Sequence, residues 1–330
     1  MRDRVPQRAH RLGGERDAPL GARLIMWKAL GKVLSAAVPT PPVGNLNNTT
    51  YWSKHTVTNG LVFASREHSL EYLHWRGSQY LFYEELMPFQ GHDGDVILDY
   101  GCGPGNDLVG FVEYSKPRLL IGLDISLPAL AAAKQRLALH GNGSAKLIQI
   151  QEEAVHLPLK DRSVDFIHSS GVLHHISNIE GLLGEFHRVL TPEGRIRVMV
   201  YNYESIWLHL YVAYHRLIVN GGEGKESLAE AFKKSTDGEE CPFSVCYTPS
   251  EFLNLVRRCG FKGIHVGSAV SLHELSLLGH RYEAMMNPQL DRQHREFLQG
   301  LTFDQYGRPL HRGEVAGIDA VYELAKEPPR

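Results

Sequence analysis

The chain has 330 residues, 43% of them hydrophobic, with 35 Lys and Arg against 37 Asp and Glu. That is long and apolar enough for one α/β domain with additions, while the near balance of charge lacks the basic face of a protein that neutralises nucleic-acid phosphate. Four cysteines, Cys102, Cys241, Cys246 and Cys259, follow no zinc spacing; they fit a reducing, cytoplasmic setting and predict no metal.

Residues 1–45 are predicted to form a flexible tail. The first 25 carry Arg2, Arg4, Arg8, Arg11, Arg16 and Arg23 with little apolar periodicity. No apolar core of a signal peptide follows, and no run reaches the length of a membrane span, so no membrane partner is expected. Met26 opens a more protein-like segment, so the preceding residues read as an upstream extension. A short amphipathic helix is expected over 26–37, stopped by Pro39, Pro41 and Pro42. Residues 46–90 read as a helical lid segment rich in aromatics: Tyr51, Trp52, Tyr72, Trp75, Tyr80, Phe82 and Tyr83. Their spacing predicts a helix from Ser69 to Leu86 that packs on the sheet edge or covers a ligand.

Val96-Ile97-Leu98 is a short apolar run bounded by Gly91, Asp93 and Gly94, which predicts a buried strand. It ends in Asp99 and opens into Tyr100-Gly101-Cys102-Gly103-Pro104-Gly105-Asn106-Asp107, where alternating glycines let the backbone turn tightly and approach a ligand. Leu108, Val109, Phe111 and Val112 recur at helical spacing, so the loop joins a strand to a helix whose N-terminal amides face a cavity. Arg118 to Ser126 reads as a second strand ending in Asp124, where a carboxylate can accept both hydroxyls of a ribose. Leu147 to Ile150 reads as a third strand, and Ser163 to Ile176 as a fourth with its loop. Glu185 to Val200 reads as a helix, a Pro192-Glu193-Gly194 turn and a fifth strand.

The loop reads G-x-G-x-G, unlike the dinucleotide fingerprint G-x-G-x-x-G, because Asn106 stands where the last glycine would be. With Asp99 two positions before its first glycine, it resembles motif I of the class I S-adenosylmethionine-dependent methyltransferases, in their small-molecule, type 11-like branch. The segment Glu153-Ala154-Val155-His156-Leu157-Pro158 resembles that family's adenine-contacting stretch, with Glu153 where Asp is usual, and the fourth and fifth strands follow in the family's order. The resemblance covers residues 91–203 closely and Thr248 to Val270 more loosely. It implies a Rossmann-like seven-stranded α/β sheet with helices on both faces, and S-adenosylmethionine as cofactor. It places the aminoacid part of that cofactor on Asp99, Tyr100, Gly101, Cys102, Gly103, Gly105 and Asn106. Asp124 and Ile125 would take the ribose, Glu153 and Ala154 the adenine, and Ser170 would face the methyl group. On the lid helix, Arg76 is the side chain best suited to the methionine carboxylate, as a permanently charged bidentate donor.

The expected core therefore runs over 91–205, followed by a cap insertion at 206–247. Within the cap Trp207, Leu210, Tyr211 and Tyr214 form a helical stripe, and Gly221 to Gly224 forms a turn. Residues 248–330 complete the core. Thr248, Pro249 and Glu251 predict a capped helix start, and Cys259-Gly260 its end. Ile264 to Val270 is the sixth strand, 271–315 a second insertion, and Ala316 to Leu324 a last strand antiparallel beside the fifth. Tyr203, Trp207 and Tyr211 leave the C-terminal edge of the sheet, where open α/β folds place ligands, and are candidates for substrate binding. His174 and His175 follow the fourth strand and are, with Tyr201, candidates for taking the acceptor's proton, since histidine titrates near neutral pH; His209, His273 and Glu274 are further candidates.

The implied activity is in-line transfer of a methyl group from S-adenosylmethionine to a small-molecule acceptor, catalysed in large part by positioning. Oxygen is favoured as the acceptor atom by the His and Tyr content; nitrogen, carbon and sulfur stay open. No nucleic-acid partner is expected, and a homodimer stays open. The competing readings are a nicotinamide-dependent oxidoreductase, which should show G-x-G-x-x-G, and an inactive protein that binds S-adenosylmethionine without turnover.

Overall fold

A computed structural model describes residues 47–55, 61–141, 145–150, 156–221 and 226–327. The expected tail at 1–45, the helix at 26–37, Glu153, Ala154 and the Gly222 to Gly224 turn lie outside the described residues.

Among the described residues eleven strands are numbered in chain order. The largest sheet holds β1 (Tyr80–Leu81), β2 (Val96–Tyr100), β3 (Leu119–Asp124), β4 (Ala145–Gln149), β5 (Val164–Ser170), β6 (Leu190–Tyr201), β7 (Phe261–Ser271) and β11 (Asp319–Lys326), in the spatial order β1-β7-β11-β6-β5-β2-β3-β4. The seven expected strands are all present, and the two-residue β1 adds an eighth at the edge by pairing with Val270 and Ser271. β2 to β6 run parallel, and β11 inserts antiparallel between β6 and β7.

Every residue of β2 is buried, as expected of a parallel strand covered on both faces. Its side chains alternate: Val96, Leu98 and Tyr100 join an apolar cluster with Leu183, Phe186, Phe252 and Val256. Ile97 joins the opposite cluster with Phe89, Phe111, Leu130 and Leu137. Helices Ile179–Val189 and Pro249–Arg258 thus cover one face, and helices Asn106–Tyr114 and Leu127–Ala138 the other. Because β2 lies between β3 and β5, the chain departs from it in opposite directions, and a crevice opens at the C-terminal ends of these strands.

The helix predicted from Ser69 to Leu86 is shorter, Arg66–Ser78, because the chain turns into β1 and Phe82 adopts a left-handed conformation at φ 62°. The Pro192-Glu193-Gly194 turn sits inside β6 as a bulge: Leu190 pairs with Val164 and Arg195 with Phe166. The Thr248 cap is found as predicted, with Thr248 and Glu251 bonded reciprocally. After β6 the stripe from Trp207 forms a π-helical segment, Trp207–Val219, followed by helix Leu228–Asp237. Later helices Leu272–Leu277, Arg281–Met286 and Arg292–Gln299 accompany a small antiparallel sheet of β8 (Thr302–Phe303), β9 (Pro309–His311) and β10 (Glu314–Val315). The two additions share one apolar cluster, in which Ile206, Leu210 and Tyr214 meet Ala284, Phe297 and Leu298. No helix among the described residues is long and apolar enough to cross a membrane.

Candidate functional site

At the C-terminal ends of β2, β3 and β5 lies a cavity of about 520 Å³. Its floor is the glycine loop, with Tyr100, Gly101, Gly103 and Pro104; one wall is Asp124, Ile125, Ser126 and Ile150; the other is Ser170, Gly171, Val172 and His175, continued by Ser177 and Asn178. Asn48, Trp52 and His55 from the short helix Asn48–Lys54 and its end close over it.

Asp124 fixes the loop to the second wall. One carboxylate oxygen accepts the Gly103 N–H at 2.8 Å and the other accepts the Ser126 N–H at 2.8 Å. Burial raises its carboxyl, against the pull of these amide bonds. Asp124 also lines the cavity, and a carboxylate oxygen can accept more than one hydrogen bond. The loop's glycines have different reasons. A Cβ on Gly101 would lie 2.4 Å from Val172 Cγ2, and one on Gly105 would lie 3.0 Å from Ala133. A Cβ on Gly103 would meet no protein atom within 4 Å, although its φ is +52°. Close neighbours hold Gly101 and Gly105 to glycine, whereas Gly103 faces open space.

The structure divides the predicted cofactor residues into two sets. Tyr100, Gly101, Gly103, Asp124, Ile125 and Ser170 line the cavity. Asp99, Cys102, Gly105, Asn106 and Arg76 do not. Asp99 is the cross-strand neighbour of His168 on the face opposite Leu98 and Tyr100. Burial pushes its carboxyl up, and one of its oxygens has no hydrogen-bond partner. Arg76 reaches Asp107 at 3.1 Å, and Asp107 also meets His168 at 3.0 Å. Burial opposes the charge on Asp107, but Arg76 and the hydrogen bond from His168 outweigh it and hold its carboxyl well below the usual range. Asn106 is spent between Arg136 and Asp107, and Cys102 packs in the core. Arg136 also binds the Ser69 hydroxyl and carbonyl, so that this buried polar seam fastens helix Arg66–Ser78 to the core.

The proton-transfer candidates also separate. His174 is fully buried, has no partner at either ring nitrogen, and stacks on Tyr201 at 3.7 Å; burial holds its pKa well below the ordinary value. It is absent from the cavity wall. His175 is on the wall, with Nδ1 donating to the Phe243 carbonyl at 2.7 Å and Nε2 3.5 Å from an oxygen of Asp237. Burial disfavours its charge, but Asp237 and Cys241 outweigh that and lift it to about 10. Tyr201 donates to the same carboxylate at 3.2 Å. Helix Asn48–Lys54 joins this cluster, because the Tyr51 hydroxyl donates to the Asp237 carbonyl and Trp52 sets its ring edge to His175 at 4.9 Å.

Tyr203, Trp207 and Tyr211, predicted to bind substrate, are not brought to the cavity. They pack instead with Leu208, Val212 and Phe232, and the Trp207 indole N–H donates to Ser235 at 2.9 Å. Their stripe is satisfied by helix Leu228–Asp237. His209 stacks on Phe297 at 3.8 Å, and Glu274 caps its own helix, so neither meets the cavity. His273 sets its ring edge to Trp207 and Tyr211. Sequence reasoning expected a lid segment over 46–90 with Trp52 among its aromatics, but missed Asn48 and His55 on it and Asp237 and Cys241 beyond it; no local motif marks these four.

Residues 98–198 match the family model described as a methyltransferase domain. Among curated proteins, the chain is 31% identical over 108 residues to a demethylmenaquinone methyltransferase of Lactobacillus johnsonii, covering 32% of this chain and 43% of that one. It is 35% identical over 106 residues to a malonyl-[acyl-carrier protein] O-methyltransferase of Marinomonas sp., covering 32% and 37%. The chain thus spans less than half the length of these relatives. A solved structure of an S-adenosylmethionine-dependent methyltransferase from Mesorhizobium loti aligns with a TM-score of 0.47 at 18% identity, over 74% of this chain and 96% of that one. Over residues 98–198 the chain is thus similar to a methyltransferase domain.

Proposed function

We propose that this chain transfers a methyl group from S-adenosylmethionine to a small-molecule acceptor, with a hydroxyl oxygen favoured. The observation that carries this reading is Asp124, a buried carboxylate on the wall of a cavity at the strand-order reversal, facing a glycine loop that leaves open space above Gly103. The residues fit the cofactor: Asp124 offers lone pairs to two ribose hydroxyls, Ile125 and Ile150 offer apolar surface beside an adenine, and Gly101 and Gly103 let the backbone approach the aminoacid part.

When bound, S-adenosylmethionine supplies a methyl group on a positively charged sulfur. The chain's own work is to hold the acceptor in line and exclude water, and alignment at about 3 to 3.5 Å contributes much of the rate. Trp52 and His55 close the cavity from the lid side. A hydroxyl acceptor must also lose its proton; the His175–Asp237 pair is the titratable group at the wall, and with His175 lifted to about 10 it accepts a proton only in alkaline solution.

Calorimetry with S-adenosylhomocysteine and with NAD separates this reading from an oxidoreductase; NAD binding without a response to S-adenosylhomocysteine would overturn it. Incubation with methyl-labelled cofactor and a metabolite extract tests turnover, and label transferred to no fraction would favour a protein that binds without catalysis.

A further inference from the structure

We propose that His175, Asp237 and Cys241 hold a divalent metal ion of borderline softness, with Zn2+ as the ion this donor set selects. Among the described residues they form the one group of imidazole, carboxylate and thiol in which a donor atom of each lies within 4.8 Å of the others. His175 and Cys241 are only 4% and 2% exposed, so this is not a chance gathering of surface acids. The mixture of nitrogen, oxygen and sulfur donors suits zinc and not magnesium or calcium, which take oxygen sets.

The geometry is close to what a small tetrahedral ion needs. Bonds of about 2.0 to 2.3 Å space ligand atoms roughly 3.3 to 3.8 Å apart. His175 Nε2 lies 3.5 Å from an Asp237 oxygen, and Cys241 Sγ, 3.9 Å from the ring's other nitrogen, must swing toward the Nε2 side to share that centre. Small side-chain rotations would bring the three donors onto one centre. The supporting contacts are also in place. His175 Nδ1 donates to the Phe243 carbonyl at 2.7 Å, which orients the ring and leaves Nε2 buried without a hydrogen-bond partner. Imidazoles that bind metal commonly hand their other N–H to a carbonyl in this way. Asp237 in turn accepts from the Tyr201 hydroxyl at 3.2 Å.

Asp237 ends helix Leu228–Asp237 and Cys241 lies four residues on, past Gly238 at φ +101°. His175 comes from the loop after β5. The ion would therefore clamp the first insertion to the core. Binding releases the Cys241 thiol proton and the proton held between His175 and Asp237 to solvent, and thiolate and carboxylate together neutralise the dication. Three protein ligands leave a fourth position for water or another donor.

This inference goes beyond the cofactor reading and does not depend on it. The full chain, stripped with a chelator, is titrated with Zn2+ against a chromophoric chelator, with S-adenosylhomocysteine affinity measured in parallel. One equivalent of Zn2+ is expected, weakened at least tenfold by Cys241→Ser and by Asp237→Asn, and retained by Cys241→His. Co2+ should give a thiolate-to-cobalt absorption that Cys241→Ser abolishes. If Cys241→Ser does not fold, Asp237→Asn and the cobalt spectrum of the parent chain carry the test. No zinc uptake, or uptake indifferent to Asp237 and Cys241, would leave a plain His175–Asp237 ion pair and overturn the proposal, whatever the cofactor affinity.

Discussion

His174 and His175, adjacent in the chain, stand in opposite chemical settings: His174 stacks on Tyr201 with neither nitrogen bonded, while His175 joins the cavity wall and faces Asp237. Only the second has a polar task. An apolar ring of similar size should therefore replace the first without loss, because it removes a buried polar group that has no partner. His174→Phe is expected to keep the melting temperature within a few degrees, on the scale of about 1 kcal/mol, and to leave S-adenosylhomocysteine affinity unchanged. A large drop in thermal stability with loss of binding would show that His174 has a polar partner after all.

Two alanine substitutions in the glycine loop should part company. Gly101→Ala forces a Cβ within 2.4 Å of Val172 at a left-handed φ of +75°, and should destabilise the fold by about 2 kcal/mol or more. Gly103→Ala meets no protein atom, and carries mainly the backbone cost of about 1 kcal/mol. It should instead depress cofactor affinity disproportionately. Urea unfolding and calorimetry on the same two variants read the difference; equal stability losses with unchanged binding in Gly103→Ala would place the cofactor elsewhere.

Asp124→Ala should weaken S-adenosylhomocysteine binding by about 1 to 3 kcal/mol, the scale for hydrogen bonds to a charged group. Part of the effect comes through the loop, since Asp124 also holds the Gly103 and Ser126 amides. Asp124→Asn keeps one acceptor and should fall between the two. Calorimetry showing parent affinity in Asp124→Ala would mean that the ribose site is misplaced.

Asp319, at the start of β11, is buried, and burial followed by the neighbouring Glu274 pushes its carboxyl up to about 8. The folded chain keeps this proton where the unfolded chain has lost it. The associated stability is full below the ordinary carboxyl pKa and declines as pH rises toward 8. Asp319→Asn should remove that slope, gaining on the parent on the order of 3 to 4 kcal/mol between pH 5 and pH 8. Urea unfolding at the two pH values checks this, and parallel slopes for parent and variant would refute it.

The sheet and the cavity were legible in the sequence wherever a local rule fixed them. The run from Val96 into three glycines determined strand, loop and helix, and Thr248 with Glu251 determined a helix start to the residue. Asp99 was legible as buried but not as turned away, because strand alternation sends it to the face of Ile97 and not to the crevice. Trp207 and Tyr211 stand outside the cavity lining: an aromatic stripe looks the same whether it meets a ligand or helix Leu228–Asp237. Asp237 and Cys241 could not be found at all. They meet His175 only through the return of an insertion more than 60 residues away, and a search for paired cysteines passes over a mixed donor set.

The pairing order of the sheet also bears on how the chain is made. β2 to β6 are successive in sequence and pair among themselves, so the half of the sheet that bounds the cavity can assemble from residues 96–201. The other half joins distant partners: Tyr201 beside Asp319, and Tyr80 beside Ser271. Such closures are slow, since long loops must be ordered before their contacts form. During synthesis the nucleotide-sized crevice would take shape while β6 still presents a bare edge. That edge stays open to wrong partners until the last strand of the chain emerges and slides in beside it.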